Sequence, residues 1–159
     1  MSVRLTEQQQ ALVDQVRRFA EREIVPKRRE ADTDPAYGAK LMAALGAARL
    51  LGLNIPEAYG GVGLPQLDSA MCIEEMGRWS LDAAGMMSAA SLGQAYYIYA
   101  FGTEVQKRKY LPEICAGRYT VAIGITEPGA GTASTALTTK ARIDGERIVL
   151  NGRKHYVSN

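Results

Sequence analysis

The sequence predicts an α+β chain, an all-helical N-terminal domain followed by an incomplete antiparallel β-domain, and three observations carry that prediction. Apolar residues recur at helical spacing through most of the chain up to Gly117. Beyond it the period drops to two, with Tyr119, Val121, Ile123 and Ile125 alternating against Thr120, Ala122, Gly124 and Thr126. Asp144-Gly145 and Asn151-Gly152 then punctuate the remaining apolar runs as turns. The helical domain is placed at 1–117 and the partial β-domain at 118–159.

The first helix opens at Thr6, which forms a capping box with Gln9, and buries Leu12, Val16, Phe19, Ala20 and Ile24. Pro26 should kink or end it, because proline lacks an N–H and crowds the preceding turn. Asp34-Pro35 reads as the N-cap and first residue of the next helix, whose face is Tyr37, Leu41, Leu45, Ala48 and Leu51, with Gly52 as its stop. The glycines and prolines from Ile55 to Pro65 make that stretch a loop. Helices follow at about 67–77 and 83–101, and Thr103 with Gln106 caps another that runs toward Gly117. The methionines (Met71, Met76, Met86, Met87) and tyrosines (Tyr96, Tyr97, Tyr99) of this region read as adaptable core packing rather than a ligand surface.

In the second part, the alternating run at 119–126 reads as a strand. Leu137 to Ile143 reads as another, turned by Asp144-Gly145 into Ile148–Leu150, and Lys154 to Ser158 as a last one. So few strands would leave an open sheet edge, which proteins normally cover, and the sheet therefore reads as unfinished.

Composition excludes several functions. A formal net charge of +2 gives no electrostatic footprint for nucleic acid, and the basic run Lys27–Arg29 is answered at once by Glu30, Asp32 and Asp34. No apolar run approaches a membrane span, and the N-terminus has neither a signal core nor transit character, so the expectation is a cytoplasmic protein with no membrane partner. Cys72 and Cys115 read as free thiols, and the lone His155 has no clustered partners, so no metal site is expected. No phosphate loop or nucleophile elbow occurs, and Gly129-Ala-Gly131 leads into a strand rather than a helix, unlike a dinucleotide fingerprint.

What remains is Gly124-Ile-Thr-Glu-Pro-Gly-Ala-Gly-Thr-Ala-Ser-Thr135. Two readings stay open on the residues alone. It is an ordinary turn leaving a strand, or its glycines let backbone approach a flat ligand, with the Thr126 and Thr132 hydroxyls beside it.

Thr126-Glu-Pro-Gly-Ala-Gly-Thr132 resembles the acyl-CoA dehydrogenase signature, a strand ending in Thr-Glu-Pro with a Gly-x-Gly-Ser/Thr loop after it. Three more segments resemble that family in the same order. They are the Pro-x-x-Tyr-Gly-Gly-x-Gly loop at Ile55–Gly63, the Phe-Gly-Thr-Glu-x-Gln-Lys-x-x-Tyr-Leu-Pro helix at Phe101–Pro112, and the Asn-Gly-x-Lys strand at Asn151–Asn159. Together the motifs span nearly the whole chain.

The resemblance implies α,β-dehydrogenation of an acyl thioester, on CoA or an acyl carrier protein, with hydride transfer to FAD. It implies that Ile123, Ile125 and Thr126 line the isoalloxazine, that Gly131 and Thr132 lie where flavin and thioester meet, and that Thr132 also touches substrate. Tyr156 would stack on the flavin, with Val157 and Ser158 beside it and Ser158 bonding near the reactive ring nitrogen. Hydroxyl and backbone donors aimed at the ring would stabilise the negative charge that develops there.

Two positions depart from the family pattern. Ala133 stands where aspartate is usual, and Tyr156 where tryptophan is usual. The family's catalytic glutamate lies in a later helical domain, so no residue of this sequence is assigned as catalytic. A complementary C-terminal half or a partner subunit is expected to supply it, the chain being a truncated product or a split subunit within an oligomer of the family type. An oxidase or flavin monooxygenase relative of the same fold, and a non-catalytic scaffold subunit, are the alternative readings.

Overall fold

Thr6 and Gln9 close the predicted capping box. The Gln9 N–H donates to Thr6 Oγ1 at 3.2 Å, and the Thr6 N–H donates to Gln9 Oε1 at 3.1 Å. In this computed structural model, which describes residues 4–158, helix α1 (Glu7–Phe19) starts there and buries Val13, Val16 and Phe19. Met1–Val3 and Asn159, which belong to the N-terminal and Asn-Gly motif readings, lie outside the described residues.

Pro26 kinks this rod without ending it. Ala20–Ile24 form one π-helical turn, Val25–Lys27 a 3-10 turn, and α2 (Arg28–Thr33) continues beyond. The π turn hands the Val25 N–H to Ala20 O, so the chain is already rewound where proline can donate nothing.

Helix α3 (Tyr37–Ala47) starts two residues later than Asp34-Pro35 suggests, with Ala36 as its N-cap. Asp34 works one turn earlier, its Oδ1 accepting from the Ala36 N–H at 2.9 Å and its carbonyl from the Tyr37 N–H at 3.0 Å. Its end also differs. The left-handed stop is Arg49 (φ 56°), with Gly52 (φ 62°) taking a second such position, and Leu50 and Leu51 are buried between them. Arg49 is held there by its guanidinium, which donates to Gly61 O at 3.1 Å.

The Ile55–Pro65 loop contains a 3-10 turn, Glu57–Tyr59, and anchors at Ile55, which is fully buried. Gly60 (φ 84°) sits over Pro112, and a Cβ at Gly61 would lie 2.0 Å from Ile55 O. Tyr59 Oη donates to Glu104 at 2.9 Å, so the loop motif and the Phe101–Pro112 motif lie against each other.

Helix α4 (Gln66–Gly77) packs on α1 and on α5 (Leu81–Ala90). The single helix expected over 83–101 is two, because the chain breaks between α5 and α6 (Gln94–Phe101). Buried Ser91 turns its hydroxyl to the Leu53 N–H at 3.0 Å, and Gly93 N–H closes back on Ser88 O at 2.8 Å. Helix α7 (Glu104–Cys115) carries the second predicted capping box, Thr103 with Gln106, and ends before Gly117 (φ 72°).

The core of this part joins α1, α3, α4, α5 and α7. Met76 and Met87 are fully buried in it, while Tyr97 stays half-exposed. Cys72 and Cys115 are free and buried, and burial pushes both thiols up to about 11.

The chain divides into two units, Met1–Val121 and Ala122–Asn159. In the second, one antiparallel pair forms among the described residues, β1 (Lys140–Asp144) with β2 (Arg147–Asn151). The turn is Gly145-Glu146, one residue beyond the expected pair, and Gly145 takes the positive φ (62°) that a primed two-residue hairpin needs. Ala141, Ile143, Ile148 and Leu150 share one face, of which Ile143, Ile148 and Leu150 are largely exposed.

Among the described residues the runs at 119–126 and 154–158, expected as strands, carry no strand. The Tyr119 N–H turns back to Glu113 O at 3.2 Å, and among the described residues His155 N–H donates to Thr126 O at 2.8 Å between the two runs. Alternation supplies two faces, but a strand also needs a neighbour to receive its N–H and C=O groups.

Candidate functional site

The glycine-rich segment begins as a turn. Glu127 and Ala130 exchange both backbone bonds, Glu127 N–H to Ala130 O at 2.9 Å and Ala130 N–H to Glu127 O at 3.1 Å. Pro128 takes the second position of that turn, which its fixed φ suits.

Glu127 is buried, and its carboxylate points into a ring of donors. Oε2 accepts from the Thr138 N–H at 2.6 Å and the Thr138 hydroxyl at 2.7 Å. Oε1 accepts from the Thr139 N–H at 3.0 Å and the Lys154 ammonium at 2.9 Å. Donors from Thr139 and Thr138, then the Lys154 ammonium, hold the carboxyl far below the usual carboxylate range.

A carboxyl lowered in the folded state stabilises it above the unfolded value of 4.5, and that contribution fades as pH falls from 4.5 through the folded value. Acidification below 4.5 is therefore expected to lower the protection of the Thr138 and Thr139 amides relative to their intrinsic exchange at the same pH, as NMR would read it. Glu127→Gln should flatten that part of the pH dependence. An equal acid response in the variant would assign it to other groups.

Lys154 reaches further, donating also to Ile125 O at 2.9 Å. Gly124 makes room for it, since a Cβ there would lie 3.2 Å from Lys154 Cγ and 3.6 Å from Val157 Cγ2. The segments around Ile123–Thr126 and Lys154–Val157, some thirty residues apart, thus lie side by side.

Of the residues read from the sequence, Ile125, Thr126 and Val157 belong directly to this meeting. Ile123 (39% exposed), Ile125 (48%) and Tyr156 (88%) leave apolar and aromatic surface uncovered next to it. Tyr156 sits at φ 57°, a position uncommon for any residue but glycine, with its ring edge-on to His155. Gly129 and Gly131 face open space, with nothing within 4 Å of a Cβ built on either.

Thr132 and Ser158 are exposed at the ends of their segments, and no hydrogen bond connects them. Thr132 O accepts from the Ser134 N–H at 3.0 Å, leading into a 3-10 turn at Ser134–Ala136. Ala133 lies exposed at the start of that turn, its carbonyl accepting from the Ala136 N–H at 3.0 Å. These segments thus offer exposed apolar side chains at Ile123 and Ile125, an exposed aromatic ring at Tyr156 and two uncrowded glycines. The sequence reading missed Glu127 as an organising group and Lys154 as its partner. The only available signal was a carboxylate directly before proline in a glycine-rich turn.

Among the described residues no helix is long and apolar enough to cross a membrane, and no cluster of three or more metal-ligating side chains occurs.

The family model of the acyl-CoA dehydrogenase N-terminal domain matches residues 6–118. The probable acyl-CoA dehydrogenase YngJ of Bacillus subtilis is 35% identical over 161 residues, taking in 100% of this chain and 42% of its own length. The short-chain-specific acyl-CoA dehydrogenase of Clostridium acetobutylicum is 33% identical over 159 residues, with 100% and 42% covered. Among solved structures, the acyl-CoA dehydrogenase complexed with FAD from Bacillus anthracis aligns at a TM-score of 0.87 and 31% identity, over 98% of this chain and 27% of that one. The chain spans about two fifths of the length of the curated relatives it matches.

Proposed function

Because the chain belongs to the acyl-CoA dehydrogenase family, matched over residues 6–118, we propose that it is the N-terminal portion of an FAD-dependent dehydrogenase of acyl thioesters, carried on CoA or an acyl carrier protein. In this reading 1–117 is the helical domain and 118–159 the flavin-facing part of the β-domain. FAD, when bound, supplies the acceptor for the hydride lost from the β-carbon as the α-proton leaves.

The chain's residues bind and orient. Ile123 and Ile125 give the ring an apolar floor, and the Thr126 hydroxyl donates to its polar edge. Gly131 brings backbone close to the thioester, with the Thr132 hydroxyl touching both ligands. Tyr156 covers one ring face and excludes water, and Val157 and Ser158 flank it, the serine hydroxyl aimed at the reactive edge. No residue of the chain is assigned as the base. Glu75 is engaged by Arg17 at 3.1 Å and Arg78 at 3.6 Å, and Glu74 lies exposed beside Arg78. The base comes from a complementary C-terminal half or a partner subunit, in an oligomer of the family type.

One observation carries this reading: two segments distant in sequence meet and leave apolar and hydroxyl-bearing residues exposed together. Co-expression of the chain with the C-terminal portion of a family member tests it. A yellow complex whose flavin is bleached by butyryl-CoA without oxygen is expected. Thr126→Val should weaken its FAD affinity up to about tenfold, the worth of one hydrogen bond. A colourless complex would sink flavin binding and favour the scaffold reading. Product formed only with oxygen would favour an oxidase.

A further inference from the structure

We propose that Glu127 and Lys154 form a clasp that sets the register between the segment carrying Thr126 and the segment carrying Tyr156, which makes Glu127 a positioning residue for the flavin-facing wall. The proposal rests on the flavin reading only in its last step, the consequence for cofactor binding.

Side chains add to the register that the backbone bond sets between these segments. Among the described residues His155 N–H donates to Thr126 O at 2.8 Å, which ties the two segments at one point of their backbones. The side chains supply further restraints. Lys154 Nζ bridges Ile125 O and Glu127 Oε1, both at 2.9 Å, so one ammonium holds two neighbouring residues of the first segment. Glu127 in turn binds both Thr138 and Thr139 through their backbone N–H groups, anchoring the chain that leads into β1. Three stretches separated by 11 and 27 residues converge on one carboxylate.

The chemistry suits a rigid joint. Charge-assisted bonds are shorter and roughly twice as strong as neutral ones. The carboxylate is buried with donors on both oxygens, so it meets the condition under which a buried charge is tolerated. Releasing either partner strands the other. Without Lys154, Glu127 keeps its threonine donors but loses its tie to the second segment. Without the Glu127 charge, the ammonium keeps only Ile125 O and its own partial exposure to water. Gly124 is part of the device, because any larger residue would press on the lysine stem.

The test uses the 159-residue chain, its Glu127→Gln and Lys154→Met variants and the double variant, with Glu127→Asp as the conservative replacement and Arg142→Gln as an exposed control. Amide exchange by NMR at Thr138, Thr139 and His155 reads the clasp, and Ile143 and Ile148 report whether the hairpin survives. Fluorescence titration with FAD reads the wall. We expect His155 to exchange about tenfold or more faster in both single variants, the double variant to be no faster than either single one, and Glu127→Asp to restore part of the protection. FAD affinity should fall in the same order across the variants. Unchanged His155 exchange in both single variants, or additive losses in the double variant, would overturn the clasp. If the exchange pattern holds but the wild-type chain and its complemented form bind no FAD, the clasp stands and the flavin reading fails.

Discussion

Leu45→Ala is expected to lower the stability of the helical unit by about 2–5 kcal/mol, and its melting temperature by roughly 10 °C or more. Leu45 is fully buried on α3, within the cluster that joins that helix to α1, α5 and α7. Truncation removes the apolar contacts and leaves a void that helices tied down by both capping boxes cannot fill by collapsing. Thermal and urea unfolding followed by circular dichroism at 222 nm would measure it. A loss under about 1 kcal/mol would mean that the site closes on itself, and that the packing around α3 is looser than described.

The neighbouring residue should fail for the opposite reason. A Cβ at Gly46 would lie 2.2 Å from Ala116 O and 2.4 Å from Ala116 C, backbone atoms just past the end of α7. Gly46→Ala therefore forces helix axes apart rather than a side chain aside, and about 1–3 kcal/mol or more of destabilisation is expected. Gly85→Ala supplies the contrast, because nothing lies within 4 Å of a Cβ there and the position is an exposed helix interior. It should stabilise by about 0.5–1 kcal/mol through helix propensity alone. Two glycine-to-alanine changes of opposite sign would show that Gly46 is kept for close approach. If both stabilise, α3 and the end of α7 are not in backbone contact.

The features legible in the sequence were those fixed by neighbours in the chain. Both capping boxes were readable because a threonine and a glutamine three residues apart satisfy each other without outside help. The Asp144-Gly145 hairpin was nearly so, displaced by one residue. The misses share a cause, a distant partner. Ser91 breaks the helix at 90–94 by reaching Leu53, 38 residues away. Arg49 adopts the left-handed stop expected of Gly52 because its guanidinium has Gly61 O to hold. The run at 119–126 alternates as a strand should, but the ladder needs a second strand that periodicity cannot name. At the candidate site, the motif located the wall residues, while the ion pair across 27 residues is visible only in three dimensions.

The π turn at Ala20–Ile24 has a consequence for how the chain tolerates change in length. A turn closed from Val25 N–H to Ala20 O holds one residue more than an α-helical turn does, yet Ala20 and Ile24 both remain buried. Removing a single residue here would convert the widened turn to the ordinary one. The residues that follow would keep nearly their present positions around the axis, whereas the same removal inside α1 would swing them by about 100°. The segment between Phe19 and Pro26 is therefore the place in this rod that takes up a one-residue change of length as girth in one turn, with α1 keeping its own face on the core.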